Sequence, residues 1–151
     1  MATSIPQAHE WLYDALTALQ ATTLSGVHVA KFGVWKDTPE KDTIEVLGVV
    51  QPAFTPRRIG QLSYDEEYVI PVRIATTGAG GDLAVVHARL WEYVSIVAGT
   101  VIGAHRMGGA VIRALPGTSD DDPQIGPLSE GGDFATYTLN IDVMNHVDLT
   151  A

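Results

Sequence analysis

The side chains with most to offer chemically are acids, and they come in runs. Asp65-Glu66-Glu67 supplies the raw material for a general acid and base, and Asp120-Asp121-Asp122 offers oxygen ligands to a hard cation. Each run reads more simply. Three acids in succession at a strand entry are expected to face water. The aspartate run lacks the central glycine and later bidentate acid of a calcium loop, and Pro123 follows at once, so it reads as a solvated acidic loop. Thr77-Gly78-Ala79-Gly80-Gly81-Asp82-Leu83 lies between a strand and a helix, where a dinucleotide fingerprint would. Its third glycine position is Leu83, and Asp82 would set a negative charge beside any phosphate. The histidines, at 9, 28, 87, 105 and 146, never fall at a spacing that puts two ligands on one helix face. No Gly-x-Ser-x-Gly elbow is present, no phosphate-gripping Gly-Lys-Ser/Thr loop, and no cysteine. Arg57-Arg58 is the one basic pair, suited to an acidic patch on a partner. These patterns point to a protein without catalytic, cofactor or metal sites.

The elements that must position these residues follow from periodicity. Ile5, Ala8, Trp11, Leu12, Ala15, Leu16 and Leu19 recur at helical spacing, and Ser4 with Gln7 has the form of a capping box. A helix is expected over Ser4 to Thr23. Val27 to Phe32 and Ile44 to Val50 read as two strands of a hairpin with a long loop. Gln51 to Leu62, with Pro52, Pro56 and Gly60, reads as an exposed loop. Tyr68 to Ile74 is a third strand, in which Pro71 suggests an edge or a bulge. Asp82 is a candidate N-cap for a second helix ending near Gly103. Leu83, Val86, Leu90, Val94, Val97 and Val101 stripe one face of it, while Val85, Trp91 and Ile96 lie on the other side. Such a helix is expected to be covered on several sides. A short strand is expected around Ala110 to Leu115. The last strand turns Tyr137, Leu139, Ile141 and Val143 one way and Thr136, Thr138, Asn140 and Asp142 the other.

The order α-β-β-β-α-β implies an α+β fold, a mostly antiparallel sheet of about four strands with two helices packed against it. A chain of 151 residues suits a single domain, with irregular loops near 51–67 and 116–133. A formal charge of −9 disfavours clamping onto nucleic acid, since phosphate binding is built from cations. The N-terminus lacks the basic and apolar regions of a secretory signal. The most apolar stretch, Leu83 to Ala104, is interrupted by His87, Arg89 and Glu92, so neither a leader nor a membrane span is expected.

Taken together, the chain resembles the tail-terminator (tail-completion) proteins of long, non-contractile-tailed bacteriophages. The likeness rests on three passages. The first is the opening helix through Ala15-Leu16-Thr17-Ala18-Leu19-Gln20 into the strand at Gly26-Val27-His28-Val29. The second is the passage from Tyr68-Val69-Ile70-Pro71-Val72-Arg73-Ile74 through Gly80-Gly81-Asp82-Leu83 to Leu90-Trp91-Glu92-Tyr93-Val94. The third is the closing strand Ala135 to Val143. The resemblance implies a virion protein at the head-proximal end of the tail, assembled in the host cytoplasm as a homo-hexameric ring. Such a ring caps the tail tube, stops its polymerisation and presents a docking surface to a head-neck connector or stopper protein. DNA passes through it without specific binding, and there is no enzymatic step, cofactor or membrane. The candidate interface residues are Arg57, Arg58, Trp91, Asp120, Asp121 and Asp122, with the arginines reaching the acids of a neighbouring copy. The alternatives are another neck or head-closure protein of the same virion, or a small soluble enzyme or ligand-binding domain.

Overall fold

A computed structural model describes residues 3–32, 41–57, 62–78, 80, 83–117, 119, 122–127 and 131–149. Its spine is one antiparallel pair of sixteen-residue strands, β4 (Ser63–Gly78) and β7 (Asp133–Asp148), in register from Ser63 opposite Asp148 to Gly78 opposite Asp133. Five short strands flank the spine: β1 (His28–Lys31), β2 (Thr43–Val46), β3 (Val50–Pro56), β5 (Arg113–Pro116) and β6 (Gln124–Pro127). The path runs β1-β2-β4-β7-β5, with β3 also on β4 and β6 also on β7. The fold is α+β as expected, but the sheet is mixed and has seven strands rather than about four.

The added strands lie where prolines suggested loops. β3 occupies part of the stretch read as an irregular loop, and β6 part of the loop expected near 116–133. β3, β5 and β6 each end in proline, at Pro56, Pro116 and Pro127. A proline cannot donate to a ladder, so it is tolerated on an edge, and these strands are edges. In β3 the geometry is explicit. Arg57 N–H bonds the Ser63 carbonyl, which turns the backbone polar groups of Pro56, one residue earlier, away from β4. Its missing donor therefore faces outward and blunts that edge.

Pro71 is not on an edge. It sits in the centre of the sheet between Asn140 of β7 and the gap separating β2 from β3. Its carbonyl accepts from Leu47 N–H at 2.9 Å, so its nitrogen also faces that gap, where no regular ladder needs a donor. The first two strands also differ from expectation. β1 and β2 pair in parallel, His28 opposite Thr43 through Lys31 opposite Val46, and so form no hairpin. Alternation assigns faces but carries no information on strand direction, and the connection between them is long enough to return the chain.

Even-numbered residues of β4 and odd-numbered residues of β7 form the inner face: Tyr68, Ile70, Val72 and Ile74 beside Leu139, Ile141 and Val143, all buried. Helix α1 (Ile5–Ala18), continued by one 3-10 turn to Ala21, lays Ala8, Leu12 and Leu16 into this core. Helix α2 (Leu83–Gly103) adds Val86, Leu90, Val97 and Val101. The expected stripe on α2 is shorter by its first member, since Leu83 at the helix start is 41% exposed. Coverage of α2 within the chain extends past the fully buried residues to Val94, Ile96 and Ala98, which pack against the core. Val85 and Ile102 stand exposed, and Trp91 lies at the border, 38% exposed.

Candidate functional site

Among the residues singled out for interfaces, Arg58, Asp120 and Asp121 lie outside the described residues. Arg57, just past β3, has its Nε 3.3 Å from Oδ1 of Asp65, an oxygen that also meets His146 Nδ1 at 3.2 Å. Its charge is thus engaged within the chain, at the surface. Trp91 on α2 is 38% exposed. Its indole N–H donates to His87 Nε2 at 2.9 Å, and its ring leans on Tyr137 with centroids 5.2 Å apart. Asp122 is exposed and lines a cleft of about 360 Å³ with Leu47, Arg73, Gln124, Thr136 and Thr138. The structure does not bring Arg57 and Asp122 together. Arg57 belongs to the Ser63–Asp148 end of the spine, and Asp122 to the region where β6 pairs with Asp133–Thr136. About ten residues of extended strand separate the two regions, on the order of 33 Å.

The acidic triplet is split by the strand. Asp65 and Glu67 take the outer face, while Glu66 shares parity with Tyr68 and Ile70 and is fully buried. The expectation that all three face water is thus corrected for Glu66. The alternation that marked Tyr68, Ile70, Val72 and Ile74, extended one step back, already contained this signal.

Glu66 meets the start of α1. Its Oε2 accepts from the Thr3 hydroxyl at 2.6 Å, and its Oε1 accepts from Ser4 N–H at 2.8 Å, from the Ser4 hydroxyl, and from Asn145 Nδ2 at 3.1 Å. The capping box is therefore not formed. Ser4 has helical backbone angles and spends its hydroxyl on Glu66, so a carboxylate from the sheet caps the helix instead. Burial by itself raises the Glu66 pKa. The hydrogen bonds from Ser4, Thr3 and Asn145 outweigh it and hold the carboxyl below its ordinary value. Tyr68 hydroxyl lies 2.8 Å from Ser4 Oγ, and burial together with the nearby Glu66 charge pushes the phenol up to about 12. Ser4 and Glu66 are 4% and 0% exposed, which leaves no room for a substrate atom beside the serine. This is a helix anchor rather than a nucleophile and its base.

A second, half-buried knot fastens α2. Asp42, just before β2, accepts from Thr77 N–H and Arg89 at 3.0 Å each, and from the Tyr93 hydroxyl at 2.8 Å. Arg89 also donates to the Thr77 carbonyl. Burial, and donation to Asp42, push the Tyr93 phenol up to about 12. The sequence offered no local sign of this knot, because its members lie on three separate elements.

The histidines are dispersed. His9 is buried, donates from Nε2 to the Leu47 carbonyl at 2.9 Å and stacks on Phe32 at 4.3 Å. His28, His87 and His105 are exposed. Among the described residues no three His, Asp or Glu side chains stand together as a metal site. Ala79, Gly81 and Asp82 of the glycine-rich turn, including the candidate N-cap, lie outside the described residues. By length and composition α2 is apolar enough to cross a membrane, contrary to the expectation from its interrupting polar residues. Its Arg89 and Tyr93, however, are tied to Asp42, and its buried stripe lies on the sheet. Comparison with protein-family models finds no match, and comparison with curated proteins finds no similar sequence.

Proposed function

We propose that this chain is a virion assembly protein of the tail-terminator kind, closing a homo-hexameric ring on the last ring of the tail tube. The ring stops polymerisation of the tube protein and presents its free face to a neck connector or stopper protein. It acts at the head-proximal end of the tail after assembly in the host cytoplasm, without catalysis, cofactor or membrane, and DNA passes through without specific contacts. The observation that carries this reading is the placement of Arg57 and Asp122 toward opposite ends of the β4–β7 spine. Pairing between the two on neighbouring copies is a head-to-tail contact, and head-to-tail contacts build rings when the rotation between copies closes and open filaments when it does not. The exposed apolar residues of α2, with Trp91 among them, fit burial against a neighbour. The proline-ended edge strands support contact through side chains rather than by strand addition. The anchoring of α2 on the sheet supports its reading as a core helix rather than a membrane span.

Native mass spectrometry of the protein, alone and with purified tail tubes, tests the reading. A hexamer, or a monomer that hexamerises on tube ends and halts their growth, is expected. Binding to head connectors but not to tubes would favour the head-closure alternative. A stable monomer or dimer indifferent to both would overturn the proposal.

A further inference from the structure

A second surface shares no residue with the proposed ring contacts. An open groove of about 750 Å³ runs between α1 and the turn at Met107–Gly109. Buried Met107 and half-buried Trp11 and Ala110 form its floor, and exposed Gln7, Glu10 and Asp14 stand on the α1 side. The turn passes close over the indole. A Cβ at Gly108, which has φ +68°, would come within 3.1 Å of Trp11 Cδ1 and Nε1. Among the described residues neither the Trp11 indole N–H nor the Asp14 carboxylate has a hydrogen-bond or ion-pair partner.

The neighbouring pair on the same helix shows what such groups hold. Glu10 and Tyr13, three residues apart, grip the Lys31 ammonium, with Oε2 at 3.0 Å and the ring centroid at 4.5 Å. Trp11 and Asp14 have the same three-residue separation with the order reversed, and among the described residues no cation lines the groove beside them. Indole is the strongest of the aromatic faces for a cation. Arg106, the cation nearest in sequence to the turn, is not among the lining residues.

We propose that this groove is a docking site for a basic segment of a partner protein. A lysine or arginine side chain of that segment lies against Trp11 and pairs with Asp14, Glu10 being held by Lys31. A backbone carbonyl of the segment accepts from the Trp11 indole N–H, and its apolar atoms rest on Met107, Ala110 and Pro6. The assignment rests on charge complementarity and on the Lys31 precedent, and it is independent of whether the protein forms a ring.

The test follows the Trp11 indole N–H resonance, identified with the help of Trp35→Phe and Trp91→Phe variants. The probes are the peptide acetyl-Ala-Lys-Ala-Arg-Ala-amide, its counterpart with Glu at both charged positions, and tetramethylammonium. A saturating Trp11 shift with the basic peptide alone is expected. It should weaken about five-fold in Asp14→Asn, whose exposed position spares the fold, as the loss of one surface charge pair implies. No Trp11 shift, an equal response to the acidic peptide, or unchanged affinity in Asp14→Asn would each overturn the proposal. Tetramethylammonium binding as tightly as the peptide would overturn the assignment to a protein segment.

Discussion

Glu66 is the residue on which most local structure converges. It caps α1, engages Ser4 and Thr3, and reaches Asn145 on β7, so one carboxylate links the first helix to both spine strands. Its pKa is lower in the folded chain than in the unfolded one, where the ordinary value is 4.5. Between those two values the unfolded state binds more protons, so stability rises with pH there and levels off above it. The Glu66 contribution is thus present above about pH 4.5 and is lost as pH falls through the folded pKa. In Glu66→Gln the acid-side loss of stability should be shallower than in the wild type, measured by urea unfolding at steps from pH 6 to pH 3. Identical slopes would mean that another group governs acid sensitivity. Glu66→Ala should cost about 3 kcal/mol at neutral pH, because it strands several buried donors at once.

The elements are held by two different kinds of contact, and they fail differently. Along α2 the apolar stripe is dispersive: Leu90 is fully buried, and Leu90→Ala should lose about 2–5 kcal/mol in chemical denaturation, as core cavities do. A loss below about 1 kcal/mol would show that the stripe is not core. The Asp42 knot is concentrated. Asp42→Ala leaves Arg89, Tyr93 and the Thr77 N–H without their shared acceptor, and a loss of about 2–4 kcal/mol is expected. Hydrogen exchange should show the added opening confined largely to α2 and the end of β4. Uniform loss of protection would mean that the knot serves the whole sheet instead.

For the whole molecule the proposed ring raises the question of how copies carrying a charge of −9 would adhere. Like charges oppose closure, but at physiological salt they act over only about 8 Å. Close contacts must then be apolar or must match the few cations to acids. Arg57 holds Asp65 in a surface pair worth only about 0–1 kcal/mol, so exchanging that partner for an acid on a neighbour costs little. Arg57→Glu combined with Arg58→Glu should weaken hexamer formation in native mass spectrometry while the circular dichroism of the monomer stays unchanged. If the proposed ring also buries the exposed apolar residues of α2, high salt should weaken it only in part, because apolar contacts are insensitive to screening. An unchanged hexamer in the double variant would remove those arginines from the interface.

Both helices, the alternation of the two long strands and the α+β class were legible in the sequence, because each rests on a repeat that one element carries by itself. The inner face of β7 follows directly from Tyr137, Leu139, Ile141 and Val143. Direction and neighbourhood were not legible. The parallel pairing of β1 with β2 leaves no mark on either strand, since alternation is the same in both orientations. Prolines 52, 56, 116 and 127 break a segment read alone yet suit edge strands, and only the assembled sheet reveals which strands are edges. Glu66 was half legible: its parity placed it on the inner face, but the groups that make a buried carboxylate stable come from residues 62 positions before it and 79 after it. Asp42 was not legible at all, because a half-buried acid is stabilised by the donors that surround it, and those donors meet only when the helix lies on the sheet.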